Sequence, residues 1–258
     1  MAYEIRIDPL TGLRTVIGDG TDAAAVTSSP PAAEGTPPFS PILSDDAPEP
    51  PGEARAELFA RAAARGAHER LQGGSPEQWR ERMRAHPDAA CVQLIAQDGV
   101  ADLYALDFVP ALLARERERF GAYAVRTMGG NLLGDLLQEE VRRRERLVAY
   151  DDEAVLLVPF AARRPYELML VPRRPRARFE EDGPLGEALL RDGVERLGRV
   201  AGGPVLAWIR TAPRGAEQFC WRIDLVPALA GAGPLEQAAG LAVNPLAPEA
   251  AAAHLREA

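Results

Sequence analysis

Thirty basic residues stand in this chain of 258, and every one is arginine. With no lysine, chemistry that needs one, such as a Walker A phosphate loop or a Schiff base, is excluded. Arginine still supplies bidentate clamps for phosphate. Nucleophiles and metal ligands are few: three histidines (His68, His86, His254) and two cysteines (Cys91, Cys220). No CxxC, HxH or HExxH spacing occurs, so a zinc knuckle is excluded and histidine-based metal binding is not expected. The arginines best placed to meet a phosphate are Arg163 and Arg164 in the stretch PFAARRPYE, and Arg6 and Arg14 around the turn Asp8-Pro9-Leu10-Thr11-Gly12. Each has a plainer reading as a solvated side chain. Arg210 and Arg222 lie in apolar, strand-like runs, where a charge needs a partner or a polar pocket. Cys220, between Phe219 and Trp221, reads as a core thiol before it reads as a nucleophile. Asn244 reads as a cap for the turn at Pro245, with a ligand contact as the alternative. His68 and His254 read as surface helix residues, and Arg142 to Arg146 as a solvated helix C-terminus that suits the helix dipole.

The elements that must position these residues can be read from periodicity. A length of 258 residues allows one large domain or two small ones, and 47% hydrophobic with 26% charged residues is ordinary for a globular chain. A net charge of −8 argues against broad nucleic-acid binding. No apolar run is long enough for a transmembrane helix, and Met1 to Ile7 carries Glu4 and Arg6 with no apolar signal core, so the expectation is a cytoplasmic protein without membrane contact. Strands are expected at Tyr3–Ile7 and Leu13–Ile17. Residues 18–52, rich in Pro, Ala and Ser, read as a flexible segment, and Glu53–Leu71 as an Ala/Arg-rich helix. Ser75-Pro76-Glu77-Gln78 is a capping box that opens a helix to about Ala85. Strands follow at Cys91–Ala96 and Leu103–Phe108, then helices at Ala111–Tyr123 and Leu132–Arg146. Short apolar runs at Leu147–Tyr150, Ala154–Val158 and Tyr166–Val171 read as strands, Pro184–Val200 as a helix, and Val205–Arg210 and Phe219–Val226 as strands. Pro248–Glu257 closes the pattern as a helix. Strands joined by short turns, with helices around them, predict an α+β fold on a mostly antiparallel sheet.

Four segments together resemble the galactose-1-phosphate uridylyltransferase family. They are Arg6 to Gly12 (RIDPLTG), Arg146 to Pro172 (RLVAYDDEAVLLVPFAARRPYELMLVP), Phe219 to Pro227 (FCWRIDLVP) and Asn244 to Arg256 (NPLAPEAAAAHLR). The order and spacing fit, and PFAARRPYE is the most specific piece. The likeness covers most of 91–258 and the first seventeen or so residues, and is thin from Gly18 to Ala90. It implies a histidine-triad-like fold of two related halves, 1–130 (truncated and degenerate) and 131–258. It also implies uridylyl transfer between UDP-glucose and a hexose 1-phosphate through a covalent nucleotidyl-histidine, structural zinc or iron, and a homodimer.

The departures bear on function. Counting back from Pro110, the glutamine of the family's HxHxQ motif falls at Asp102 and its nucleophilic histidine at Val100, which cannot attack phosphorus. One metal-site glutamate is kept as Glu116, but its three partner histidines fall at Arg210, Cys220 and Arg222. Two positive charges there disfavour a cation and suggest a salt bridge of Glu116 with Arg210 and Arg222. The positions of a second metal site fall at Asn131, Gly134 and Pro175. No catalytic residue, metal or cofactor is therefore expected. The leading reading is a divergent family member without uridylyl transfer that binds a nucleotide, nucleotide sugar or sugar phosphate. Its binding candidates are Arg6, Arg14, Asp102, Arg163, Arg164, Arg210, Cys220, Arg222 and Asn244. The alternatives are an active nucleotidyltransferase with rebuilt, histidine-independent chemistry, and a scaffold subunit.

Overall fold

The computed structural model describes residues 3–21, 67–72, 74–97, 99–227, 236 and 239–258. Residues 22–52 of the segment expected to be flexible (18–52), and residues 53–66 of the expected helix Glu53–Leu71, lie outside the described residues. Among those described, eight strands form one sheet in the order β3-β5-β4-β9-β10-β8-β7-β6. They are β3 (Ala67–Gln72), β4 (Cys91–Gln97), β5 (Val100–Leu106), β6 (Leu147–Tyr150), β7 (Ala154–Leu157), β8 (Leu168–Pro172), β9 (Val205–Arg210) and β10 (Arg222–Pro227). Every pairing in this sheet is antiparallel. A second, three-stranded sheet joins β1 (Tyr3–Ile7), β2 (Arg14–Gly20) and β11 (Ala242–Leu246). The result is the α+β architecture that the sequence pattern predicts.

The helices sort onto the two faces of the large sheet. On one face α1 (Pro76–Arg84), α4 (Glu187–Ala201) and α5 (Pro248–Glu257) contribute Trp79, Met83, Leu190, Leu197, Ala252 and Leu255 to the larger core. On the other, α2 (Ala111–Arg126) and α3 (Leu132–Arg143) contribute Leu113, Phe120, Leu133 and Leu137 to a second core with Val155, Leu157 and Met169. Apolar residues at helical spacing on each helix face the sheet, so burial of these stripes holds the layers together.

The structure redraws several expected boundaries. Residues 67–72 are a strand, not the end of a helix: all six pair with β5. Helix propensity of an Ala/Arg-rich stretch is a weak term, and cross-strand pairing overrides it. His68 therefore sits on a sheet. Strand β2 runs on through Gly18 to Gly20, because β11 lies parallel against it. A Cβ on Gly18 or Gly20 would come within 2.8 or 2.4 Å of the Pro245 carbonyl oxygen, so only glycine allows that approach. Helix α3 stops at a left-handed Arg144 (φ 61°), and Arg146, expected in a solvated run, is buried against Glu140 and Glu249.

Candidate functional site

Directly opposed residues on neighbouring strands share a face of the sheet, so the register defines the site. One row across the α2 face reads His68, Tyr104, Gln93, Arg210, Arg222. The adjacent row reads Arg70, Asp102, Ile95, Trp208, Asp224, Met169. Val100, at the expected nucleophile position, lies two residues before Asp102 on the same face and opposite Gln97. The two rows thus carry most of the polar chemistry of this face.

At the β10 end, α2 lowers Glu116 onto the sheet. Arg222 donates to it from Nη2 (3.0 Å, Oε1) and Nη1 (3.1 Å, Oε2), and Arg210 Nη1 also pairs with Oε1. Asp224, which sequence reasoning missed, completes the cluster. Arg222 Nε donates to its Oδ1 at 3.1 Å, and Arg210 Nε lies 2.6 Å from Oδ2 without a well-aligned hydrogen bond. All four side chains are buried. Asp224 could have been found by alternation: it stands two residues after Arg222, hence on its face. Burial alone would raise the Asp224 carboxyl; attraction to Arg210 and Arg222 outweighs it and holds the group below the usual carboxylate range. For Arg222 burial opposes the charge, but the two carboxylates win and raise its pKa. Arg210 also lies 3.6 Å from the centre of the Trp208 ring, whose indole N–H donates to Gln93.

The expected metal positions can now be tested for fit. Glu116 spends its oxygens on two guanidinium groups, and a cation would have to enter between two positive charges, so this site does not fit a metal. Cys220 is fully buried beside it, its thiol pushed up to about 12 by desolvation, and donates to a backbone carbonyl. The second site keeps its geometry but not its ligands. A Cβ on Gly134 would sit 2.6 Å from Pro175 Cγ and 3.5 Å from Asn131 Oδ1, so the three positions meet. Asn131 instead caps α3 by accepting from the Gly134 N–H at 2.9 Å. Among the described residues no group of three or more His, Cys, Asp or Glu could hold a metal ion.

The β3 end of the face is more open. Asp102 accepts from Arg70 Nε at 3.0 Å and Nη2 at 3.2 Å, and its Oδ1 lies 2.8 Å from His68 Nε2. The His68 ring stacks on Tyr104 with centroids 4.9 Å apart. His68, read from the sequence as a helix surface residue, is thus brought onto the sheet beside Asp102 and opposite Tyr104, while Gln72 is the β3 residue opposite Val100. Desolvation raises the Asp102 carboxyl, and the hydrogen bonds from Arg70 and His68 more than offset it, leaving it below its usual value.

Beyond Gln97 the face opens into a cleft of about 510 Å³, lined by Arg163, Arg164, Glu167, Leu206 and Val226 among others. Arg163 is tied to Glu167 at 3.0 Å. The attraction of Glu167 raises its pKa, burial opposes this, and Asp224 adds to the rise, which links the cleft to the buried cluster. Arg164 is exposed, and no hydrogen bond or ion pair of its side chain is seen among the described residues. Asn244 holds the loop from below, donating to the carbonyls of Ala162 (3.0 Å) and Arg164 (3.2 Å) and accepting from Leu246 N–H. Arg6 lies elsewhere, paired with Glu249 at 2.9 Å and set over the Phe160 ring. Arg14 is exposed on β2.

No family model matches the chain. The galactose-1-phosphate uridylyltransferase of Cryptococcus neoformans var. neoformans serotype D is 31% identical over 101 residues, 35% of this chain and 26% of that protein. The matched stretch therefore spans only about a quarter of the length of this curated relative. Solved structures agree along nearly the whole chain. An ADP-glucose phosphorylase from Arabidopsis thaliana, solved with bound ADP-glucose, has a TM-score of 0.74 at 18% identity and covers 100% of this chain and 99% of its own. A GalT-like protein from the same plant gives 0.72 at 18% identity over the same shares. A uridylyltransferase gives 0.65 at 19% identity, with 99% of this chain and 98% of its own covered. The chain is thus similar to the galactose-1-phosphate uridylyltransferases in sequence over about a third of its length, and shares the fold of these solved structures along nearly all of it.

Proposed function

We propose that the protein binds a nucleotide sugar across the α2 face of its sheet, with the phosphates at Arg163 and Arg164, and does not form the covalent nucleotidyl intermediate implied by the family resemblance. The observation that carries this reading is the cleft itself. Two adjacent arginines, one exposed and without a side-chain partner among the described residues, open onto the sheet face whose nucleophile position is Val100. Arginine pairs recognise phosphate oxygens by paired N–H donors, whereas a valine side chain cannot become bonded to phosphorus. The ADP-glucose seen in the plant phosphorylase supports the choice of ligand class. In this reading Arg210, Arg222, Cys220 and Asn244 shape the site from beneath without touching the ligand, and Arg6 and Arg14 stand outside it. Residues 1–130 and 131–258 are the two related halves, meeting where β4 pairs with β9.

The test is a thermal-shift and calorimetric titration with ADP-glucose, UDP-glucose, the free nucleotides and hexose 1-phosphates. Binding of at least one nucleotide sugar, lost in an Arg163→Ala/Arg164→Ala double variant, is the expected result. Intact mass after incubation should show no added nucleotidyl group; an adduct on the protein sinks the second half of the proposal.

A further inference from the structure

We infer that Glu167 sets the specificity of the cleft: it favours nucleotides whose terminal phosphate is capped by a sugar and disfavours free nucleoside diphosphates. The inference rests on the nucleotide-sugar reading above and adds to it the basis of a choice among nucleotides. It starts from the balance of charge. Arg163 and Arg164 line the cleft, and so do Glu167 and Glu236. Among the described residues that line it, the charges therefore cancel. A cleft that gathers highly charged anions is lined by one sign of charge, and this one is not.

Glu167 acts on the phosphate position through Arg163. It is 4% exposed and stands directly before β8. Its Oε2 accepts from the Arg163 backbone N–H at 2.6 Å, and its Oε1 accepts from Arg163 Nη2 at 3.0 Å. Part of the Arg163 guanidinium is thus spent inside the protein, and Asp224 and Asp8 attract it as well. The carboxylate is also fixed in place. Asn244 donates to the carbonyls of Ala162 and Arg164, and the Glu167 N–H donates to the Arg164 carbonyl at 3.3 Å. Tyr166 is buried in the left-handed region (φ 58°), with its hydroxyl 3.0 Å from His254 Nδ1. That backbone conformation is unfavourable for tyrosine and persists only where the surroundings hold it. The chain on either side of Arg163 and Glu167 is therefore set before a ligand arrives. Glu236 is held in turn, accepting from the Val243 N–H at 2.9 Å.

This arrangement separates two kinds of diphosphate. In a nucleotide sugar both phosphates are diesters, and each carries one negative charge. A free nucleoside diphosphate ends in a monoester that carries about 1.5–2 negative charges at pH 7. The cleft, at about 510 Å³, is on the order of 10 Å across, about one screening length in 0.1 M salt. The added charge is therefore felt by Glu167 and Glu236 as well as by the arginines. Carboxylate oxygens only accept hydrogen bonds, so they repel a terminal phosphate and suit the hydroxyl groups of a sugar.

Dissociation constants are measured by calorimetry on the full chain for ADP-glucose, ADP-ribose and ADP, and for UDP-glucose, UDP-galactose and UDP. At pH 7.5 we expect both capped ligands of the recognised base to bind at least about tenfold more tightly than the free diphosphate. Glu167→Gln should bring that ratio below about threefold by strengthening the free diphosphate. Two capped ligands with different sugars separate the effect of charge from that of sugar contacts. Equal or tighter binding of the free diphosphate, a preference confined to one sugar, or an unchanged ratio in Glu167→Gln overturns this inference and leaves the binding proposal standing. Absence of nucleotide-sugar binding overturns both. If Glu167→Gln does not fold, the wild type is titrated at about pH 5.5, where the terminal phosphate, with a pKa near 6, is mostly singly charged. No histidine is among the described residues lining the cleft, and the charged groups about Arg163 are Arg164, Glu167, Glu236, Asp224 and Asp8. The ratio should narrow there, and a ratio equal to that at pH 7.5 contradicts the inference.

Discussion

Glu116 makes three hydrogen bonds in the buried cluster, as many as Arg222. It bridges two arginines that are themselves almost without solvent, and Asp224 balances the second positive charge. The cluster is neutral as a unit and costly to break: deleting one partner of a buried pair typically costs about 3–5 kcal/mol. Glu116→Gln should therefore lower unfolding free energy by roughly that amount in urea titrations, and a loss under about 1 kcal/mol would show the cluster to be loosely coupled. Asp224 makes the stability depend on pH. Its folded pKa is lowered, so its contribution is present above the unfolded value, about 3.9, and disappears as pH falls through the lower folded value. The stability gap between the wild type and Asp224→Asn should be wide at pH 7 and shrink below about pH 4. A gap that stays constant to pH 3 contradicts this assignment.

At the scale of elements, local signals were legible and distant partners were not. The capping box at Ser75 and Gln78 lies within four residues and forms as expected. Helices α2, α4 and α5 and strands β1, β4, β6 and β9 likewise follow from spacing alone. Strand β3 was invisible because its stability comes from β5, whose paired residues lie 28 to 38 positions away, while its own composition favours helix. The His68–Asp102 contact was hidden for the same reason. Strand β11 carries Pro245 and reads as a turn until β2 is placed beside it. That pairing gives a direct test. Gly20→Ala would set a methyl group 2.4 Å from the Pro245 carbonyl oxygen and should cost about 1–3 kcal/mol, as overpacking does. Equal stability of the variant would mean that β2 and β11 separate easily.

For the molecule as a whole, ligand binding should appear as stability. A nucleotide sugar at a hundred times its dissociation constant adds about 2.7 kcal/mol, which for a chain of this size raises Tm by roughly 5–10 °C. The Arg163→Ala/Arg164→Ala variant should lose that rise. Arg164→Ala alone should keep its unliganded Tm within about 2 °C, since an exposed charge contributes little. Arg163→Ala should lower it, because Arg163 is half-buried and pairs with the buried Glu167. An unchanged unliganded Tm in Arg163→Ala would show that this pair does not brace the fold.

The small sheet has a further consequence. Its strands β2 and β11 pair residues more than 220 positions apart, Thr15 with Ala242 among them, so it is a structure of high contact order. On a ribosome adding about 5–20 residues per second, Thr15 waits on the order of ten seconds or more for its neighbour to be made. During that interval β2 can pair with β1 on one side, but its other edge has no strand to complete it. An unpaired strand edge is a template for other chains, so the synthesis of β11 is what withdraws the edge of β2 from that hazard.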